Sequence, residues 1–477
     1  MSRCTEKQAQ GAQSPEPRDV QGGGREKGAF MTDASGPSIV VTEAFSTRHI
    51  GNWALAENAV RQLRGVFPNA RITLLARDPE TIGPAIGERT VEKLFPKMPH
   101  HATQVQQVLW LIPNTLWAIA STLALIFSGG NPRKYARLAR LFTPRGLRRD
   151  ALEAILAADL VVSIAGESIN DMFLKKLPFV LYTYWLPARL GKPVMLFPQT
   201  IGPLRPWLWR KVTGRVLRRC AMAMPRDKES LQLLQSIGMP AERSPFVPDM
   251  VIGQPLIGAE EAEALLSKAG FGGRDALRIG VVPAAFQAAG GRHIQCLAGA
   301  LRMFLDRHPE ARVGVLIGNR RGSICQCNDY EVAEQFVKLI GNDSRVVPLM
   351  DLNPSPAETK GILAQLDLFV SCRMHMAILS TMAGTPTVAL ATQSKIPEYM
   401  QLCGQRDRVA MMDDGLSEKS LLKMMEDALE SAAEIRQQLA ISRARLEPLA
   451  AAAGAHARDV LCSRQMQETL GARALSV

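Results

Sequence analysis

The chain has 477 residues, too many for one ordinary domain and enough for two of the α/β kind. Hydrophobic residues at 47% and charged residues at 21% are globular values and exclude a chain that is disordered throughout. With 57 Lys and Arg against 45 Asp and Glu, the formal charge is +12, a balance that favours nucleic acid, anionic lipid or a phosphorylated substrate as partner. Only 5% of residues are aromatic, and there is no zinc-finger spacing or run of interleaved aromatics and bases, which argues against nucleic acid.

Residues 1–37 are rich in Gly, Gln, Ser, Pro and charge and are expected to be disordered. They lack the apolar stretch of a secretory signal, and Met31 offers a second start just before the first periodic segment. Ser38–Thr42 reads as a strand, the segment Glu43–Trp53 as a loop, about Ala54–Val66 as a helix and Arg71–Ala76 as a second strand. Gly51 and Asn52, just ahead of that helix, fit either an anion- or substrate-binding loop or a plain structural turn.

Val108–Ser128 carries 21 residues without a charge, long enough to cross a bilayer. Pro113-Asn114 is expected to interrupt it. Arg133, Lys134, Arg137, Arg140, Arg145, Arg148 and Arg149 follow directly. Three readings are open: an interfacial helix or hairpin on an anionic inner membrane surface, a buried helix pair, or a true span. A lone span would split the flanking β-α-β units between two compartments.

Further strands end at Ser163, before Ile-Ala-Gly-Glu-Ser-Ile-Asn-Asp171, and at Phe197, before Pro-Gln-Thr-Ile-Gly-Pro203. A basic helix spans about Trp207–Cys220. Pro225-Arg-Asp-Lys-Glu-Ser230 opens another helix, and Phe246–Val251 closes the first half. A break is placed near 253–276. The second half begins at Leu277–Pro283 and includes the strand Val313–Ile317, a helix over about Tyr330–Ile340 and the strand Arg345–Pro348. Its centre is Leu368–Val370, a buried strand, followed by Ser371, Cys372, Arg373 and His375, the helical pattern Met376–Ala383, Gly384 as a stop and the strand Thr387–Leu390. An arginine and a histidine at a strand-to-helix turn make an anion site, because helix N-terminal N–H groups converge there. The ordinary alternatives are an ion pair for Arg373 and a satisfied polar residue for His375. Residues 417–470 read as helices. The predicted organisation is α/β: two Rossmann-like domains, 38–252 (with an apolar and basic insertion at 108–149) and 277–412, in a GT-B-type arrangement with a C-terminal helical segment, 413–477.

Eight cysteines are scattered, and only Cys325 and Cys327 are close. A lone C-x-C pair is poor evidence for a metal, so reduced thiols and no metal requirement are expected.

Five separated motifs together resemble the polysaccharide pyruvyl transferase family, in its colanic-acid-type branch. Ile50-Gly-Asn-Trp is similar to the family's N-terminal loop, with Asn52 where an Asp often stands. Val162–Asp171 looks like its Gly-Gly-acid-Ser segment, with Ala165 for one glycine. Gln199-Thr-Ile-Gly-Pro203 matches closely, Arg226-Asp-Lys-Glu-Ser230 with Leu234, Gly238 and Asp249 follows, and Cys372-Arg-Met-His-Met-Ala377 with Gly384-Thr-Pro386 and Lys395 completes the series. The resemblance implies transfer of an enolpyruvyl unit from phosphoenolpyruvate to two hydroxyls of a sugar, giving a pyruvate ketal in exopolysaccharide or cell-surface glycan synthesis. His375 and Arg373 would be catalytic. Arg226, Gly51, Asn52, Gly166, Glu167, Gln199, Thr200, Ser371 and Lys395 would contact substrates, with Glu167 or Asp171 as base. No cofactor is implied beyond phosphoenolpyruvate as donor substrate; the acceptor is a sugar, lipid-linked or free. The expected place is the cytoplasm, peripheral on the inner face of the membrane. Two rival readings are a GT-B-type nucleotide-sugar glycosyltransferase and, given Asn52 and Ala165, a non-catalytic membrane-bound assembly factor.

Overall fold

A computed structural model describes residues 36–474, apart from 97–102, 274, 285–290, 321–328, 342 and 414, and without the side chains of 147 and 467–474. The expected disordered extension, up to residue 35, and the Cys325–Cys327 pair lie outside the described residues.

Two parallel sheets carry the fold. The first contains β1 (Ser38–Ala44), β2 (Arg71–Ala76), β3 (Arg89–Glu92), β4 (Leu160–Ser163), β5 (Val194–Gln199) and β6 (Met222–Pro225) in the order β3-β2-β1-β4-β5-β6. The second contains β7 (Leu277–Val282), β8 (Ala311–Val315), β9 (Val346–Pro348), β10 (Leu368–Ser371), β11 (Thr387–Ala391) and β12 (Val409–Met411), ordered β12-β11-β10-β7-β8-β9. Both are doubly wound, with the strand order reversing between β1 and β4 and between β7 and β10, where such sheets open a crevice at their carboxyl ends. The strands read as apolar runs because both faces are covered: Ile39 and Val41 belong to one core cluster, while Val40 between them belongs to another. β3 is the strand that the apolar pattern does not announce. Its four residues, Arg-Thr-Val-Glu, lie at the sheet edge and none is fully buried.

The halves meet carboxyl end to carboxyl end. The Ile50 N–H donates to the Gly318 carbonyl at 3.1 Å and the Arg320 N–H to the Arg48 carbonyl at 2.8 Å, so the loop after β1 is stitched to the loop after β8. The chain then returns. After helices Glu418–Glu430 and Ala432–Ala450, helix Ala452–Ala474 packs on helix Ile50–Val66 of the first half. The Gln62 side chain donates to the Ala450 carbonyl (2.9 Å) and accepts the Gly454 N–H (3.1 Å). In the expected break lies a helix, Ala259–Lys268.

Three local expectations change. The first helix begins at Ile50, so Gly51 and Asn52 sit in its first turn and form no separate loop. The helix of the second half's centre begins at Met374, placing His375 inside its first turn. Gln104–Phe127 is one continuous helix through Pro113, with no break at Pro113-Asn114. Proline costs one backbone hydrogen bond there, and the Asn114 amide donates to the Trp110 carbonyl at 2.6 Å beside the gap. Arg148 and Arg149 leave the expected basic cluster: Arg148 donates to the Leu94 carbonyl and Asn114 and lies 4.9 Å over Trp117, and Arg149 donates to the carbonyls of Arg140 and Thr143.

Candidate functional site

The turn after β10 is held by its own residues. Ser371 Oγ accepts the Arg373 N–H at 3.1 Å and donates to the Arg373 carbonyl at 2.9 Å. Arg373, in extended conformation, caps helix Met374–Ala383. Its guanidinium forms a two-pronged pair with Asp329, Nε to Oδ2 at 3.0 Å and Nη2 to Oδ1. Asp329 is fully buried and also accepts the Asn319 N–H at 2.9 Å. The fork therefore has one edge committed within the protein. The Arg373 side chain is 18% exposed.

A second guanidinium comes from the first half. Arg226 follows β6, and its Nη1 lies 2.6 Å from Asp249 Oδ2, both side chains almost completely buried. Its Nε donates to Thr200 Oγ1 at 3.0 Å, and that hydroxyl donates to Asp227 Oδ2 at 2.7 Å. Asp227 in turn caps helix Lys228–Ser236 through the Ser230 N–H. Burial alone would raise the Asp249 pKa; the Arg226 charge, then His375 and the Val251 N–H, outweigh it and hold the carboxyl well below the usual carboxylate range. His375 reaches the same carboxylate from the second half, its Nε2 3.6 Å from Oδ2. Asp249 thus stands between a guanidinium of one half and an imidazole of the other.

The opposite side of that imidazole rests on Gly51. A Cβ added there would lie 2.2 Å from His375 Nδ1 and 2.4 Å from Cγ, so only glycine lets the ring lie against the helix. Two residues earlier, His49 caps the same helix: its Nδ1 accepts the Asn52 N–H at 3.2 Å, which leaves the neutral ring its proton on Nε2. The two imidazoles stand edge to face, centroids 6.2 Å apart. Burial first, then the charges of His375 and Arg373, push the His49 pKa down to about 3.

Glu167 and Lys395 close the crevice from opposite halves, Nζ to Oε2 at 2.6 Å, each side chain about one quarter exposed at 24% and 27%. Gly166 beside Glu167 accepts the Thr200 N–H at 2.8 Å, and the Asn52 carboxamide lies next to it. Gln199 is buried with neither side-chain atom hydrogen-bonded among the described residues; the same holds for Asn319. Asp171 is turned away: its carboxylate accepts the Arg205 N–H at 3.1 Å. A cavity of about 370 Å³ opens between the halves, lined by Arg226, Lys228, Asp249, Lys395, Glu398 and Arg445 among others. Its mix of cations over carboxylates suits a small polyanion. Among the described residues, no cluster of three or more His, Cys, Asp or Glu could hold a metal ion.

The structure thus brings Gly51 to His375, Asn52 to Gly166, Thr200 to Arg226, Ser371 to Arg373 and Glu167 to Lys395. What the sequence did not place among the contacts are His49, Asp249, Asn319 and Asp329. Asp249 stands in the sequence pattern, but its partners lie 23 and 126 residues away, and no local spacing marks Asp329.

The profile of the family described as polysaccharide pyruvyl transferase matches residues 49–394, most of the chain, including Gly51, Glu167, Arg226, Asp249, Arg373 and His375. The chain belongs to the polysaccharide pyruvyl transferase family. It is accordingly a transferase, with a GT-B-type fold. No curated protein sequence matches it significantly. Among solved structures it is similar to the UDP-GlcNAc 2-epimerase of Neisseria meningitidis bound to UDP-GlcNAc, at TM-score 0.57 and 12% identity over 89% of this chain and 100% of that one. HepE of Anabaena, in complex with UDP and glucose, gives 0.51 and 12% over 91% and 99%. A glycosyltransferase of Rickettsia africae gives 0.54 and 8% over 89% and 99%. At such identities the likeness concerns the fold alone.

Proposed function

We propose that this pyruvyl transferase uses phosphoenolpyruvate as donor and a sugar diol as acceptor, forming a pyruvate ketal during exopolysaccharide or cell-surface glycan synthesis at the cytoplasmic face of a membrane. The observation that carries the reading is the convergence of Arg226 and His375, from opposite halves, on the single carboxylate of Asp249. Phosphoenolpyruvate offers a carboxylate and a phosphate, and the crevice offers the cations Arg226, Lys228, Lys395 and Arg445.

In the proposed reaction the methylene carbon of the donor takes a proton, making C2 electrophilic. A sugar hydroxyl adds to C2 and loses its proton. The C2–O bond to phosphate then breaks, phosphate leaves, and the second hydroxyl closes the ring with loss of its own proton. His375 has the chemistry to give the first proton or to protonate the departing phosphate. Gly51 and Asp249 fix its ring from two sides. Glu167 is the base toward the sugar, with Lys395 steering its carboxylate; Asp171, engaged with the Arg205 amide, drops out of that role.

Thermal unfolding with millimolar phosphoenolpyruvate, against the same concentration of UDP-glucose, tests the donor. Phosphoenolpyruvate at about 100 times its dissociation constant adds about 2.7 kcal/mol, and the shift disappears in Arg226→Ala or Arg373→Ala. Stabilisation by UDP-glucose and none by phosphoenolpyruvate overturns the donor assignment in favour of glycosyl transfer.

A further inference from the structure

Helix Gln104–Phe127 is built inside out. The stripe it turns to the protein includes the polar Asn114 and Ser121 with Trp117, Ala124 and Leu125. The face it turns outward carries Leu109, Ile112, Leu116, Ile119, Ile126 and Phe127, each between 51% and 79% exposed. None of its 24 residues is charged. A helix bound for water shows the opposite arrangement, and an apolar patch of this extent marks a contact surface.

What surrounds the helix names the contact. The next helix, Pro132–Phe142, buries Tyr135 and Ala139 and leaves Arg133, Lys134, Arg137 and Arg140 exposed beside Leu141, which is 84% exposed. On the other side, the turn Asp171–Phe173 exposes Met172 and Phe173, and helix Trp207–Leu217 opens with exposed Trp207 and Leu208 ahead of Arg210 and Lys211. Hydrogen bonds join these pieces into one surface: Lys175 Nζ to Gln107 Oε1 at 3.4 Å, and the Arg205 N–H to Asp171 at 3.1 Å. Apolar residues bordered by cations and tryptophan are the chemistry of a protein lying in an anionic bilayer interface. A single crossing by this helix would put β3 and β4, which belong to one sheet, on opposite sides of a bilayer, so contact with a membrane requires the helix to lie along its surface.

The same surface is tied to the crevice. The strap from Gly166 to Asp171 is zipped to the loop Thr200–Pro203 by Thr200 N–H to Gly166, Gly202 N–H to Ile169 and Asp171 N–H to Pro203, at 2.8, 2.7 and 3.0 Å. One end of the strap holds Glu167 and the other ends at Met172 and Phe173. We propose that this face docks on an anionic lipid bilayer, with the Met172–Phe173 edge of the strap set against the membrane surface. The docking does not rest on the pyruvyl-transfer reading.

The test is sedimentation of the full chain with vesicles of phosphatidylcholine alone and of phosphatidylcholine mixed with phosphatidylglycerol. Wild type is expected to sediment with the mixed vesicles, and each of Arg133→Gln and Arg137→Gln to weaken binding on the order of fivefold. Leu116→Asp with Ile119→Asp should abolish binding while leaving thermal stabilisation by phosphoenolpyruvate intact, which shows that the variant is folded. Equal binding to both vesicle types, or no binding to either, overturns the docking. So does a dimer in gel filtration that the aspartates dissociate, since a second copy would then cover the face. Met172→Ser with Phe173→Ser is expected to weaken binding to the mixed vesicles as well; unchanged binding removes that edge from the docking face. Vesicle binding without any effect of phosphoenolpyruvate would sink the donor reading and leave the docking standing.

Discussion

Gly51→Ala is the sharpest probe of the crevice, because one methyl group meets the ring of His375, the proposed acid. The new Cβ would lie 2.2 Å from Nδ1, 2.4 Å from Cγ and 2.8 Å from Cβ of His375, so the clash involves the root of the side chain as well as its tip. Rotating the imidazole does not relieve all three contacts, and reaching ordinary contact requires the ring or its helix to retreat by about 1 Å. A displacement of about 1 Å costs on the order of 100-fold in rate, or about 2.7 kcal/mol of barrier. Stability should move far less. The substitution gains up to about 1 kcal/mol of helix propensity in a first turn, against roughly 1–3 kcal/mol of overpacking. The assay is phosphate release from phosphoenolpyruvate with a panel of methyl hexosides and membrane lipid extract as acceptors, run beside thermal unfolding. The expected result is kcat/KM down by about two orders of magnitude with a transition temperature within a few degrees of wild type. A variant that keeps kcat/KM within threefold would refute the claim that His375 works from a position fixed by Gly51.

Other consequences can be measured on the same preparation. Asp249→Asn leaves the buried Arg226 guanidinium without its counter-charge and should cost about 3–5 kcal/mol by urea unfolding, much of it restored by pairing Asp249→Leu with Arg226→Met. Unfolded His49 gains a proton below about pH 6.5, while in the folded protein it does so only near pH 3; the unfolded state therefore binds more protons in that window, and stability falls as pH is lowered through it. Asp249, depressed in the folded state, contributes stability above about pH 4 that is lost on further acidification, so a second decline follows. Transition temperatures between pH 7 and about pH 2 check both declines, and His49→Asn, which keeps a capping acceptor, should flatten the first. Across Glu167 and Lys395 a double-mutant cycle should give no more than about 1 kcal/mol of stability coupling, because both side chains are partly exposed. Glu167→Gln should still lower kcat by roughly 10²–10⁴-fold as loss of a base; unchanged kcat would remove Glu167 from that role.

Much of the fold was legible because buried parallel strands such as Leu368–Ser371 and Leu160–Ser163 write themselves as short apolar runs between helical periodicities. β3 was not, since a half-covered edge strand needs few apolar residues. The inward-facing side of helix Gln104–Phe127 did leave a signal: Asn114, Ser121 and the capping Ser128 recur at seven-residue intervals, which puts buried polar groups on one stripe of an uncharged segment whose other polar residues past Gln107 are Thr115 and Thr122. That spacing, weighed against Pro113, argues for one unbroken helix. The crevice was legible as motifs and illegible as contacts. Arg373 and His375 could be placed at a strand-to-helix turn, but the committed edge of Arg373 depends on Asp329, and the seat of His375 on Gly51, more than three hundred residues earlier in the chain. Ion pairs and close packing between distant segments follow from the completed fold and leave no periodicity behind.

The return of helix Ala452–Ala474 to helix Ile50–Val66 sets an order of events during synthesis. When the first half leaves the ribosome, Gln62 and the apolar residues around it have no cover, and their partner is made only after the entire second half. For that interval the nascent chain carries a finished sheet with an uncovered flank, in the company of an outward row of leucines and isoleucines at residues 109–126. Two sticky surfaces, one temporary and one permanent, thus coexist on the ribosome. Overexpression without a membrane or chaperone to occupy them should fill inclusion bodies, and slowing translation through residues 413–450 should worsen the yield.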